Sequence, residues 1–256
     1  MKVVMIGAGN LAVHLSEALN EAGWDIVQVY SRSERSAKEL AGRLGAEYTV
    51  ALSDISQEAT LYVLSVSDDA ICEVLSGVSL PDRLIVHTAG SVPMEVFAGK
   101  FQNYGVLYPM QSFSKDCPVN FREIPVFLEA NSPENLQTLQ SLAGKISSKV
   151  YPLSSDKRIF LHLAGIFGSN FVNSLYVVAA QILHEAGLGF EVLSPLLLET
   201  ARKAVASGCP GKVQTGPARR NDQQVLQRHI GLLAAYPEWQ KLYVQMSDCI
   251  RKQQHG

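Results

Sequence analysis

Over roughly its first 150 residues the chain alternates short apolar runs with stretches whose apolar positions recur at helical spacing. Val3, Val4, Met5 and Ile6 form an uninterrupted apolar run that stops at Gly7. Residues 11–22 then carry apolar side chains three and four apart, as far as Gly23. The alternation continues with a strand over 25–30, a helix over 34–44 closed by Gly45, a weaker strand over 47–50 and a strongly apolar strand over 61–66. A helix over 69–76 follows, then a strand over 84–87 and a turn at Thr88-Ala89-Gly90-Ser91. Further strands are predicted at 105–108 and 125–129, a helix from the Ser132-Pro133 start signal to about Lys145, and a short strand at 150–153. Strands linked by helices are joined by right-handed crossovers and lie parallel. Their apolar residues run on instead of alternating with polar ones, as strands covered on both faces require.

Beyond residue 153 the strand pattern ends. Residues 156–186 read as one long helix, of order 45 Å by rise per residue. Gly187-Leu188-Gly189 breaks it, and helices are predicted over 192–207, 218–235 and 237–252, with a Gly- and Pro-rich loop from 208 to 217. The predicted architecture is α/β: a doubly wound, mostly parallel sheet over 1–153, followed by an all-α domain over 154–256. The boundary is a change of structural class, not a flexible linker.

Composition narrows the function classes. Of 256 residues, 47% are hydrophobic and 18% charged, enough for a substantial core. The net charge of −2, with charges scattered, argues against a nucleic-acid partner. The four cysteines have neither Cys-x-x-Cys nor zinc spacing, so no metal site is expected and they read as free thiols of a reducing compartment. The N-terminus enters a strand at once, and no run of about 18 residues lacks strongly polar side chains, so neither a signal peptide nor a membrane span is expected. The expected location is the cytoplasm.

The most specific motif is Gly7-Ala8-Gly9-Asn10-Leu11-Ala12, a G-x-G-x-x-A between a strand and a helix. Gly7 permits the tight turn, Gly9 lets backbone approach a pyrophosphate, and Ala12 lets the helix pack closely on the strand. Free N–H groups at the helix start, around Asn10 and Leu11, then meet the phosphate charge. This is the dinucleotide fingerprint of a Rossmann domain. At the end of the second strand, where an acidic residue holds the ribose of NAD, stand Ser31, Arg32 and Ser33. A guanidinium flanked by hydroxyls suits a 2′-phosphate, so the expected cofactor is NADP. The alternative is that Arg32 is merely solvated and Glu34 takes the acidic role. Val66 and Ser67 end the next apolar strand and are expected to flank the nicotinamide half, although Ser67 also reads as a helix N-cap. His87 and Thr88 end the following strand and are expected to face the same crevice.

These residues resemble those of pyrroline-5-carboxylate reductase, the 3-hydroxyacid dehydrogenases and 6-phosphogluconate dehydrogenase, which pair a Rossmann domain with a helical one. Over nearly its whole length the chain is more specifically similar to a family of Rossmann-like proteins with a C-terminal domain of unknown function. The motifs carrying the likeness are Gly7-Ala8-Gly9-Asn10, His87-Thr88-Ala89-Gly90-Ser91, Tyr108-Pro109-Met110-Gln111-Ser112-Phe113, the stretch from His162 to Phe171, and Thr215-Gly216-Pro217-Ala218-Arg219-Arg220-Asn221-Asp222. The resemblance implies an NADP-dependent oxidoreductase fold without specifying a substrate. One departure matters: Asn170 fits the asparagine of the 3-hydroxyacid dehydrogenases, but Ile166 stands where their catalytic lysine would be.

In the helical part, His162, Asn170, Asn173 and Ser174 lie on one mostly apolar stretch, with His162 and Asn170 roughly 80° apart if the helix is regular. Asn170 is expected to bond a carboxamide or substrate carbonyl, with His162 nearby as proton donor. The alternative is a hydrogen-bond network between helices. Thr215 precedes a predicted helix start and could hold a carboxylate, and Arg220, in the first turn where a cation opposes the helix dipole, calls for an anionic partner. The expected activity is hydride transfer to or from a C=O or C=N bond of a small, carboxylated metabolite. The rival expectation is a non-catalytic NADP-binding sensor. The long apolar helix, together with the resemblance, suggests a homodimer through the helical domain.

Overall fold

The computed structural model describes residues 1–80 and 82–253, so the last three residues of the expected helical domain lie outside it. The chain forms two compact units, Met1–Asn170 and Phe171–Gly256.

In the first unit the strands are β1 (Lys2–Ile6), β2 (Asp25–Tyr30), β3 (Glu47–Thr49), β4 (Leu61–Leu64), β5 (Leu84–His87), β6 (Tyr104–Pro109), β7 (Val126–Ala130) and β8 (Val150–Pro152). They form one sheet in the order β3-β2-β1-β4-β5-β6-β7-β8. All neighbours are parallel except β6 and β7, whose pairing is antiparallel. The first six strands thus follow the Rossmann order, reversing direction between β1 and β4. The helices are α1 (Asn10–Glu21), α2 (Glu34–Leu44), α3 (Asp68–Gly77), α4 (Pro133–Ile146) and α5 (Ser155–Gly165).

Continuous apolar strands have the consequence their sequence implied. Successive side chains of a strand point to opposite faces. Val3, Met5, Leu61 and Val63 enter one core with residues of α1, α2 and α4. Val4, Ile6, Tyr62 and Leu64 enter another with Ile71, Val74 and Leu75 of α3. Both faces are therefore sealed, and ligand access is left to the ends of the strands.

The expected helix over 156–186 forms from Ser155 to Glu185, with its turns widened in the middle. After α5, residues Ile166–Asn170 form a π turn, which closes the first unit. The second unit begins with α6 (Phe171–Glu185) and continues through α7 (Ser194–Ser207), α8 (Pro217–Arg220), α9 (Gln223–Leu232) and α10 (Pro237–Lys252). A limit set by structural class falls at 153, and one set by compactness falls at 170. The two differ because α5, though helical, is tied to the sheet by a buried ion pair: Arg158 Nη1 lies 2.7 Å from Glu129 Oε2 of β7.

The expected continuous helix over 218–235 is instead two helices. α8 is a single turn that ends where Asn221 adopts a left-handed conformation, φ 53°. Asp222 then caps α9, its carboxylate accepting the Val225 N–H. Asn and Asp supply both a residue tolerant of positive φ and a capping oxygen, so the break is written at Asn221-Asp222.

Candidate functional site

The tight turn after β1 sits at the reversal point of the sheet. Gly7 has φ +125°, and a Cβ there would lie 2.0 Å from the carbonyl oxygen of Ser65, just beyond β4. Only glycine fits both that conformation and that approach. Gly9 differs: a Cβ there would meet nothing within 4 Å, so its small size leaves room for something outside the protein. Gly9 is the N-cap of α1, makes no side-chain cap bond, and no acidic residue occupies the first turn. The first N–H groups of α1 are thus left to an external acceptor, with the positive end of the helix behind them.

This turn forms part of the wall of a cavity of about 720 Å³, within the size range of cofactor pockets. Of the residues expected to hold a dinucleotide, Gly7, Gly9, Asn10, Leu11, Ser31, Arg32, Val66, Ser67 and Thr88 line it. Ser33 does not. Its hydroxyl accepts the Ser36 N–H as the cap of α2, and it is Ser36 that lines the cavity. Arg32 pairs at 3.7 Å with Glu73 of α3, also a lining residue; both side chains are mostly exposed, so the pair contributes little. Ser67 is the N-cap of α3 by position but makes no side-chain cap bond. Asp68, the first residue of α3, accepts the Ser91 hydroxyl.

His87 has a different place. It is fully buried, stacks on Phe97 with ring centroids 5.5 Å apart, and its Nδ1 accepts the Ala89 N–H. It does not line the cavity, because its side chain belongs to the core under the turn, while Thr88, Ala89 and Gly90 form the wall. Burial, with the Arg158 charge as a lesser cause, lowers its pKa to about 3, so it is neutral at physiological pH. The expectation that His87 faces the crevice is corrected accordingly.

His162 does line the cavity, and it also lines a second one of about 400 Å³. Tyr108, Gln111 and Phe113 border both spaces, and Met110, Ser112, Gly165, Ile166, Ser169 and Asn170 complete the second. The π turn widens the helix locally where Ser169 and Asn170 reach this space. Tyr108, at the end of β6, places its hydroxyl 3.1 Å from His162 Nδ1. Gly90 makes room for that ring: a Cβ there would be 2.5 Å from the same nitrogen. The segment after β6 is in turn fixed to α1, since Asn10 Nδ2 donates to the Phe113 carbonyl oxygen at 3.0 Å.

Thr215 and Arg220 belong to the second unit, and both are exposed. The physical premise for an anion site there fails: α8 is one turn long, with little dipole, and Arg220 is its last residue, where a cation is favourable. The sequence reading passed over Tyr108, Gly90 and Ser36. The first two lay inside quoted motifs, but no spacing rule pairs residue 90 or 108 with residue 162.

A Rossmann-like sheet with a glycine-walled cavity at its reversal point, followed by a helical unit, defines a dinucleotide-binding class of protein. Comparison with known families agrees: residues 1–108 match a Rossmann-like domain and residues 124–250 match a domain of unknown function, DUF2520. The chain belongs to the family of Rossmann-like proteins that carry the DUF2520 domain. Among solved structures it is similar to a proposed NADP oxidoreductase of Bacteroides fragilis, at 46% identity over 98% of both chains, TM-score 0.94. A protein of Thermotoga maritima has 24% identity over 99% of this chain and 100% of its own, TM-score 0.80. The 1-pyrroline-5-carboxylate reductase of Streptococcus pyogenes shares the fold at 16% identity over 98% of both chains, TM-score 0.63. No curated protein matches the chain.

Proposed function

We propose that the protein is an NADP-dependent oxidoreductase that reduces a C=O or C=N bond of a small metabolite. The observation that carries this reading is the cavity that begins at the uncapped end of α1 and Arg32 and reaches His162, where a second cavity adjoins it. The residues fit the cofactor. The open space at Gly9 and the unused N–H groups of α1 suit a diphosphate, and the weak, exposed Glu73 partner of Arg32 yields readily to a 2′-phosphate. The relative from Bacteroides fragilis, described as a proposed NADP oxidoreductase, supports the same assignment.

When bound, the dinucleotide supplies the hydride. The protein supplies orientation and a proton. Asn170, Ser169 and Gln111 offer hydrogen bonds in the second cavity, and His162, at the junction, is the proton donor for the heteroatom of the reduced bond. Since Arg220 loses its premise and no Lys or Arg among the described residues lines the second cavity, a carboxylate on the substrate is not required by this reading. We further propose a soluble cytoplasmic homodimer.

NADPH titration followed by intrinsic fluorescence and by melting temperature tests binding. Arg32→Ala is expected to weaken NADPH about tenfold or more while changing NADH little, the loss of one charge-assisted phosphate contact being worth roughly 1.5–3 kcal/mol. Equal effects on the two coenzymes would remove Arg32 from the phosphate site. Oxidation of NADPH across 2-keto acids and cyclic imines then tests turnover; tight binding with none across that range would favour the sensor.

A further inference from the structure

The hydroxyl of Tyr108 has two neighbours at the same distance, His162 Nδ1 at 3.1 Å and Met110 Sδ at 3.1 Å. The tyrosine is buried, its ring meets the imidazole edge-on at 6.1 Å, and Gly90 packs closely against the same histidine ring. Burial pushes the Tyr108 phenol up from its ordinary value, Arg158 opposes that more weakly, and Asp68 adds to it. The group therefore carries its single proton at neutral pH, and that proton can point to only one neighbour at a time.

Which neighbour follows from donor and acceptor chemistry. When His162 is neutral, an imidazole nitrogen is a far better acceptor than a thioether. The Tyr108 O–H donates to Nδ1, and the ring proton stays on Nε2. When His162 is protonated, Nδ1–H donates to the Tyr108 oxygen, and the O–H turns to Met110 Sδ. Both states are satisfied with no movement of heavy atoms. Nε2 has no hydrogen-bond partner among the described residues and is not sealed from solvent.

We propose that Tyr108 is a positioning residue whose hydroxyl turns between His162 and Met110, holding Nδ1 in either charge state so that Nε2 presents an N–H in both resting states, before the transfer and once solvent has restored the proton. This rests on the reading above that His162 donates the proton. In the transfer, the electron pair of the C=O or C=N bond moves onto the heteroatom as hydride reaches carbon, and the heteroatom takes the Nε2 proton of the imidazolium. The N–H electron pair remains on Nε2, the substrate is reduced, the nicotinamide is oxidised, and neutral His162 is left with its proton on Nδ1 against the Tyr108 oxygen. Solvent then returns a proton to Nε2.

Long-range ¹H–¹⁵N correlation spectra of the histidine side chains test this on the whole protein, with His162→Gln for assignment. In the wild type, neutral His162 is expected as a single tautomer, protonated on Nε2, with Nδ1 shifted by an accepted hydrogen bond. In Tyr108→Phe the Nδ1 signal is expected to move to the position of a free imine nitrogen, Nε2 staying put, and kcat on whichever carbonyl or imine the wild type reduces falls about ten- to a hundredfold. A wild-type ring carrying its proton on Nδ1 at alkaline pH overturns the proposal without needing a variant. So does an Nδ1 signal unmoved by Tyr108→Phe, or full turnover in that variant. A wild type that fails to bind NADPH instead sinks the oxidoreductase reading, and the hydrogen bond is still decided by the spectra.

Discussion

His87 and His162 show how little a residue type says about its use. Both sit in or beside quoted motifs, yet one is sealed in the core and the other stands at the junction of two cavities. The buried one makes a prediction of its own. Its pKa in the folded protein is lowered to about 3, against about 6.5 for a histidine in an unfolded chain. Above roughly pH 6.5 neither state takes up a proton at this site, and its contribution to stability is intact. As pH falls below that value the unfolded chain binds a proton that the folded one refuses. Stability is lost at roughly 1.4 kcal/mol per pH unit until about pH 3. His87→Asn, which offers an amide oxygen to the Ala89 N–H, is expected to be less stable at pH 7.5 but to have a shallower acid limb. Urea unfolding of both proteins at pH 7.5, 6, 5 and 4.5 measures it, and parallel pH profiles would show that His87 is not the titrating group.

At the scale of elements, strand and helix identity was legible in the first unit because each element there announces itself locally. Apolar runs stop at Gly7, Gly23 and Gly45, and the second core face follows from the strand period alone. Two departures from a regular helix were hidden for different reasons. The π turn at Ile166–Asn170 leaves the apolar spacing nearly intact, so periodicity reads through it. The Asn221-Asp222 break was visible as residue types but outweighed by the helical pattern on either side. Least legible was what fixes α5 to the sheet. Arg158 is 1% exposed, bonded to Glu129, the Ser155 hydroxyl and the Val92 carbonyl oxygen, with Nε left unpaired. A single arginine in an amphipathic helix reads as surface until its partner in β7 is seen. His162 lies one turn further along the same face, so this anchor also holds the cavity wall. Glu129→Ala, stranding a buried guanidinium, is expected to cost about 3–5 kcal/mol. Arg158→Met with Glu129→Leu is expected to cost less than that single change. Additive costs in a double-mutant cycle would mean the two charges do not depend on each other.

For the whole molecule, the apolar side chains left bare call for a cover. Phe160 of α5 is 71% exposed, Leu198 of α7 73% and Val205 84%, with Val177 and Leu196 also exposed. Isolated exposed leucines are ordinary, but several on consecutive helices are not. A bilayer is one conceivable cover: Ser155–Glu185 is long and apolar enough, by length and composition, to cross a membrane. Three features argue against it. His162, Asn170 and Asn173 put strongly polar groups along the stretch, and each would be costly in hydrocarbon without a partner. Arg158 near its start is committed to Glu129, and His162 to Tyr108, both on the sheet. A second copy of the chain offers an apolar surface of the same kind, and a stable pair needs only about 800 Å² from each partner. The expected outcome is a dimer by sedimentation velocity at micromolar concentration, shifted toward monomer by Leu198→Glu combined with Val205→Glu. A wild type that sediments as a monomer at high concentration, or one that pellets with neutral lipid vesicles, would show that something other than its own copy covers these side chains.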